Sequence, residues 1–136
     1  MLRGSCLCSG VRYEIDGPVS DMTNCHCGMC RKAHGAAFAT FVTSQGANFR
    51  WTRGQALIET YESSAELERV FCRVCGSSLV ILEPGTGDVF VVAGTLDEDP
   101  AIRPSSHIFV GSKAPWLEIL DECPRFDEYP PGKEPC

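Results

Sequence analysis

The residues best suited to chemistry lie in one short run, Cys25-His26-Cys27-Gly28-Met29-Cys30-Arg31-Lys32. Its thiols are spaced C-x-C-x-x-C, and two basic residues follow directly. Thiols packed this closely are placed as metal ligands. Three of them leave the fourth position of a tetrahedral zinc for water or a substrate. His26, His34, His107 and Cys123 are the candidates to close that position. His26 sits between two ligands and cannot easily bend back to the same ion. His34, four residues past Cys30, is the best placed. An open or exchangeable fourth position is the favoured reading. Three thiolates on Zn²⁺ form a unit of formal charge about −1, a poorer Lewis acid toward water than a three-histidine site. Such a centre suits a fourth thiol, held deprotonated and able to attack a carbonyl carbon. Arg31 and Lys32 are candidate contacts for a substrate carboxylate or for the thiolate charge; a solvated surface pair is the plainer alternative.

Four further cysteines fall into two half-sites, Cys6-x-Cys8 and Cys72-x-x-Cys75-Gly76. In an extended chain, residues two apart share a face, so Cys6 and Cys8 can reach one ion. The C-x-x-C-G turn does the same for Cys72 and Cys75, with Gly76 supplying positive φ. Together they make a closed four-thiolate structural zinc site, so two zinc ions per chain are expected. Cys123 and Cys136 have no partner at matching spacing and read as spare thiols. With nine cysteines in all, an odd number, clustered rather than dispersed, metal is favoured over a disulfide framework.

The elements that must position these groups read as short strands. Val11, Tyr13 and Ile15 alternate with polar residues and predict a half-buried strand ending at Gly17-Pro18. Residues 19–24 lead, extended, into the cysteine triplet, and a helical turn over 31–35 ends at Gly35. Further strands are predicted over 36–43, 48–51, 57–61 and 67–71. A hairpin is predicted from 77–82 and 88–93, and a last apolar run covers 106–110. Residues 116–120 read as a turn or short strand, and the chain from about Asp127 as loose and polar. Phe38, Phe41, Phe49, Phe71, Phe90 and Trp51 read as core. The fold class is mainly β: one zinc-bearing domain over 1–136, its core about 4–120, with few short helical turns.

The chain has 136 residues, 43% of them apolar, with a net charge of −6. That acidic balance argues against nucleic acid and against an anionic membrane surface. No apolar h-region opens the sequence, and the longest apolar run, Val89 to Ala93, is too short to cross a bilayer. A cytoplasmic protein is expected.

With these residues assembled, the chain resembles the glutathione-dependent formaldehyde-activating enzyme family, which also contains centromere protein V. The match is carried by Gly4-Ser-Cys-Leu-Cys-Ser-Gly-Val-Arg-Tyr13, by Cys25 to Lys32 with Gly35, by Phe71-Cys-Arg-Val-Cys-Gly76, and by His107-Ile-Phe-Val-Gly-Ser-Lys-Ala-Pro-Trp116. Ser9 departs from the family's usual glycine after the opening C-x-C. The resemblance implies a β-tent fold, a structural zinc on Cys6, Cys8, Cys72 and Cys75, and a second zinc on Cys25, Cys27 and Cys30. It implies glutathione as a co-substrate, formaldehyde as the aldehyde, and a carbon–sulfur lyase or synthase reaction on S-(hydroxymethyl)glutathione or a related thiol–aldehyde adduct. The alternative is a non-enzymatic zinc-stabilised binding module or a thiol or metal carrier. Lys113 and Trp116 fall in the matching stretch as candidate pocket residues, Lys113 as a substrate contact; turn and core are their plainer roles. His107 reads as a hydrogen-bonded packing residue or as an orienting group.

Overall fold

The protein, described here from a computed structural model over residues 1–131, is built on two sheets, one antiparallel and one mixed. The small sheet holds β1 (Leu2–Ser5), β2 (Arg12–Ile15) and β5 (Phe49–Arg53), in the order β1-β2-β5. The large sheet holds β3 (Val19–Cys25), β4 (Ala39–Gln45), β6 (Ile58–Glu62), β7 (Glu68–Cys72), β8 (Ser78–Glu83), β9 (Asp88–Val92) and β10 (Ser106–Ile108). Its order is β10-β3-β4-β9-β8-β7-β6, with β10 parallel to β3 and every other pair antiparallel. One helix, α1 (Gly28–His34), lies between β3 and β4. The architecture is the mainly β one expected.

The register of the large sheet explains its two faces. Val42 is opposite Val91, Val91 opposite Val80, and Val80 opposite Val70. Directly opposed residues share a face, so these β-branched side chains form one apolar stripe. The small sheet covers that stripe with Tyr13 and Ile15, which are fully buried. Phe49 stacks on the Tyr13 ring at 5.2 Å and Trp51 meets it edge-on at 6.1 Å. Each buried valine contributes on the order of 1.5 kcal/mol. The other face carries the alternate residues: Cys25, Ala39, Phe41, Thr43, Ile81 and Phe90. A second, smaller apolar cluster forms there around Cys25, Cys30, Ala39, Phe41 and Ile81.

Several local expectations need correction. Cys6 and Cys8 lie on a turn, not a strand: Ser9 donates to the Cys6 carbonyl at 2.9 Å and has φ 60. The extended segment predicted there is instead β1, which pairs with β2 ahead of the turn. The helical turn begins three residues earlier than expected and includes Cys30. The strand predicted over 36–43 is β4, shifted toward the C-terminus, because Gly35 ends the helix and residues 36–38 are spent on the reversal. Of the turn or short strand expected over 116–120 the structure has the turn, closed by Leu117 N–H on the Ala114 carbonyl at 3.1 Å, and Trp116 and Leu120 are exposed. The segment from Asp127 is not loose as far as it is described. Glu128 accepts a hydrogen bond from Phe109 N–H, and the Tyr129 ring meets Phe109 edge-on at 4.8 Å. Cys136 lies outside the described residues.

Candidate metal centres and cleft

The first thiol group joins the two sheets. Cys6, Cys8, Cys72 and Cys75 have their sulfurs within 4.8 Å of one another. Cys6 Sγ is 3.5 Å from Cys8 Sγ, which is 3.9 Å from Cys72 Sγ. Cys72 ends β7, and the chain then turns so tightly that Gly76 N–H bonds back to the Cys72 carbonyl at 2.7 Å. Gly76 holds φ 78, the left-handed conformation anticipated for the knuckle. Leu7 N–H donates to Ser77 Oγ at 2.9 Å and ties the two half-sites together. Val11 N–H donates to Cys6 Sγ at 3.2 Å, and Ser77 Oγ lies 3.3 Å from Cys75 Sγ, drawing the Cys75 thiol down to about 5. Polar hydrogens aimed at sulfur favour thiolate, the form that binds metal.

The second group is set by a strand end and a helix start. Cys25 is the last residue of β3. Cys27 is the N-cap of α1, and its Sγ accepts a hydrogen bond from Cys30 N–H at 3.2 Å. Cap and first-turn positions lie on one side of the helix, so Cys27 and Cys30 meet Cys25. The three sulfurs lie within 4.8 Å of one another, and no other His, Cys, Asp or Glu among the described residues joins them. His34 does not close the group; its ring packs edge-on against Phe41 at 5.7 Å. Hydrogen bonds from the Cys25 and Cys30 thiols, with the Cys30 N–H and the Arg69 charge behind them, favour the thiolate at Cys27. Both groups have the donor type and convergence that zinc takes, four thiols in one and three in the other.

The three thiols open into a cleft of about 560 Å³ on the outward face of the large sheet. Phe41, Ile81 and Phe90 form an apolar floor, and Phe109, Tyr129 and Pro130 a wall. Glu83 and Asp88, a directly opposed pair, stand among its lining two residues beyond the Ile81–Phe90 row. Of the basic residues singled out from the sequence, none lines the cleft. Lys32 is exposed, and Arg31 is half-buried on the helix with its Nε enclosed and unpartnered. Lys113 Nζ donates to the carbonyls of Ala114 and Leu117, at 3.2 and 2.5 Å, and so ties down its own turn. The cation that does reach the thiols is Arg69 on β7, whose Nη2 is 3.7 Å from Cys30 Sγ. Sequence reasoning passed over it because nothing in a strand residue 39 positions away signals that contact; only its cleft-facing parity with Ile81 could have hinted at it.

Behind the thiols runs a hydrogen-bonded chain of side chains, buried at His26 and His107 and ending at the exposed Asp121. His26 points away from its cysteine neighbours and is completely enclosed. Its Nε2 is 2.7 Å from His107 Nδ1, and His107 Nε2 lies 2.9 Å from the Asp121 carboxylate. The carboxylate accepts from His107 Nε2–H, and the tautomers of the two rings set which of His26 Nε2 and His107 Nδ1 donates between them. Burial, followed by His107, lowers the His26 pKa to about 4 and keeps the ring neutral. Phe38, expected in the core, packs on His26 at 4.9 Å and on His107 at 6.0 Å. His107 is therefore a hydrogen-bonded packing residue that holds His26, the link between the end of β3 and the cap of α1. Cys123 lies with His107 and Asp121 rather than with either thiol group, and its Sγ donates to the Pro104 carbonyl at 3.4 Å. All the described cysteines are free thiols.

Among solved structures, a Rhodobacter sphaeroides protein matches at a TM-score of 0.60 and 23% identity, covering 75% of this chain and 91% of its own, a likeness of fold. A Halomonas elongata protein, named provisionally as a glutathione-dependent formaldehyde-activating enzyme, is 30% identical across 96% of this chain and 89% of its own. An uncharacterized lyase of Schizosaccharomyces pombe is 29% identical over 56% of this chain and 53% of its own. The family model described as glutathione-dependent formaldehyde-activating enzyme matches residues 1–112, which include both thiol groups and β10. The chain belongs to the glutathione-dependent formaldehyde-activating enzyme family.

Proposed function

We propose that this chain is a zinc-dependent carbon–sulfur lyase or synthase acting on a thiol–aldehyde adduct of the S-(hydroxymethyl)glutathione type. The observation that carries the reading is the convergence of Cys25, Cys27 and Cys30, without a fourth protein donor among the described residues, in the lining of a cleft large enough for a small thiol. Zinc bound there supplies a centre that holds a substrate thiol in its thiolate form at neutral pH. Cys6, Cys8, Cys72 and Cys75 would hold a second, structural ion, and none of the four lines the cleft. The chain's own part is to bind and orient. The floor of Phe41, Ile81 and Phe90 offers apolar surface beside the sulfur, and a substrate seated on it would displace water there and strengthen electrostatic contacts. In the synthetic direction the thiolate sulfur adds to the aldehyde carbon. A C–S bond forms, the C=O π pair moves to oxygen, and that oxygen takes a proton equal to the one the thiol lost. The reverse reaction releases thiol and aldehyde. Free thiols throughout the described chain suit a reducing compartment, and we assign the protein to the cytoplasm.

The test follows S-(hydroxymethyl)glutathione formation and breakdown by exchange NMR, with and without zinc-loaded protein. The spontaneous addition of thiols to formaldehyde is subtracted. The proposal expects exchange above that background, abolished in Cys27→Ser. No excess in the wild-type protein with either glutathione or simpler thiols would sink it and leave a zinc-stabilised binding module.

A further inference from the structure

Arg69 is half-buried at the cleft, and two of its three guanidinium nitrogens are enclosed without the partners a guanidinium normally requires. Its Nη2 points at Cys30 Sγ from 3.7 Å, while Nε and Nη1 are buried and meet no acceptor. None of the ion pairs among the described residues includes it. Its strand neighbour Glu68 lies opposite Leu82, on the other face of the sheet, and Arg69 lies opposite Ile81. Arginine stays protonated in proteins, so the site cannot relieve the unpaired charge by losing a proton. A buried charge is retained where an opposite charge meets it. The thiol group is the group that can supply one, because Cys30 Sγ is the acidic atom that the guanidinium touches and Cys25 and Cys27 converge on it. Three thiolates around a divalent ion carry a net charge of about −1, and Arg69 brings the unit to neutrality.

We propose that Arg69 is the charge-balancing and positioning residue of the three-thiol centre, and that it permits a fourth, anionic sulfur ligand to enter. This rests on the metal reading given above. Without Arg69, an incoming thiolate approaches a centre already anionic on an apolar floor, and like charge weakens its binding. With Arg69, the approach is to a neutral unit. The glutamate and aspartate further along the cleft, Glu83 and Asp88, cannot serve this purpose, since they carry the wrong sign. Arg69 acts through Cys30 and the bound ion rather than on the reacting atoms.

The experiment loads full-length wild type, Arg69→Met and Arg69→Lys with Co²⁺ and titrates each with glutathione and with 2-mercaptoethanol. The growth of the sulfur-to-cobalt charge-transfer band reports thiol entry without requiring turnover. Wild type is expected to saturate. Arg69→Met should raise the half-saturating thiol concentration on the order of tenfold or more, for both thiols. Arg69→Lys, which keeps the charge but not the fork, should recover most of that loss. The same ordering in cobalt retention at the three-thiol centre would support the proposal equally. Equal thiol affinity in Arg69→Met and wild type overturns it, as does failure of Arg69→Lys to rescue, which would mark Arg69 as packing. If wild type binds only one metal, or two with no spectral response to thiol, the fault lies with the metal and thiol reading itself, and the inference falls with it.

Discussion

Replacing Cys72 by serine should destabilise this protein far more than replacing Cys27 by serine. Cys8 and Cys72 are 64 positions apart, so a metal held between them closes a long loop. The chain-entropy relation for a crosslink of that span gives about 4 kcal/mol at 25 °C. Cys25 to Cys30 spans only about five residues, for which the same relation gives about 2 kcal/mol. Most of that second amount is already spent, because the backbone hydrogen bonds of β3 and α1 order the segment on either side of it. Cys27→Ser also keeps the helix cap, since a serine hydroxyl accepts from the first-turn N–H at least as well as sulfur does. Against a total stability of roughly 5–15 kcal/mol, loss of the Cys72 ligand brings the fold near its limit. It corresponds to a fall in melting temperature on the order of 15 °C. Urea unfolding in zinc-replete, reducing buffer measures the difference, followed by the fluorescence of half-buried Trp51. Losses in the two variants equal to within about 1 kcal/mol would refute the division into a structural and a functional centre.

Metal analysis of the purified wild-type chain should give two zinc ions, and Cys30→Ser should give one with the fold retained; three or none in the wild type contradicts the two thiol groups. Gly76→Ala meets no steric obstacle within 4 Å, so its cost is the left-handed backbone alone, about 1–2 kcal/mol, read from chemical denaturation. Cys27→Ala, unlike Cys27→Ser, loses the helix cap and should be less stable than the serine variant by about 1 kcal/mol when both are metal-free. Tyr13→Phe removes a hydroxyl 2.7 Å from Thr95 Oγ1 and should cost about 1 kcal/mol, with the aromatic cluster of Phe49 and Trp51 unchanged in near-ultraviolet circular dichroism.

Cysteine spacing alone determined much about this protein. C-x-C, C-x-x-C and C-x-C-x-x-C are local patterns, and the geometry that makes them ligands is set within a few bonds. The division into a group of four and a group of three follows from counting, and the coordinates place the sulfurs in those groups. Strand alternation was equally legible at Val11, Tyr13 and Ile15, where one face is buried and the other solvated. Alternation was silent where both faces of a strand carry apolar residues, as in β4 and β9. There only the register separates Val42 and Val91, which face the core, from Phe41 and Phe90, which face the cleft. The local conformation at Cys6 and Cys8 also escaped, since a turn and a strand both bring two sulfurs together. What tertiary structure decided was which charges meet the thiols. Arg31 and Lys32 adjoin them in sequence, but the helix carries both away from the cleft lining, and Arg69 arrives from β7 across the sheet. Likewise His26 could not be paired with His107 and Asp121 until β10 was laid parallel to β3. Ligand spacing is a property of bonded neighbours and is readable in one dimension. The electrostatic surroundings of the ligands depend on distant strands brought side by side, and their register is set by the whole sheet.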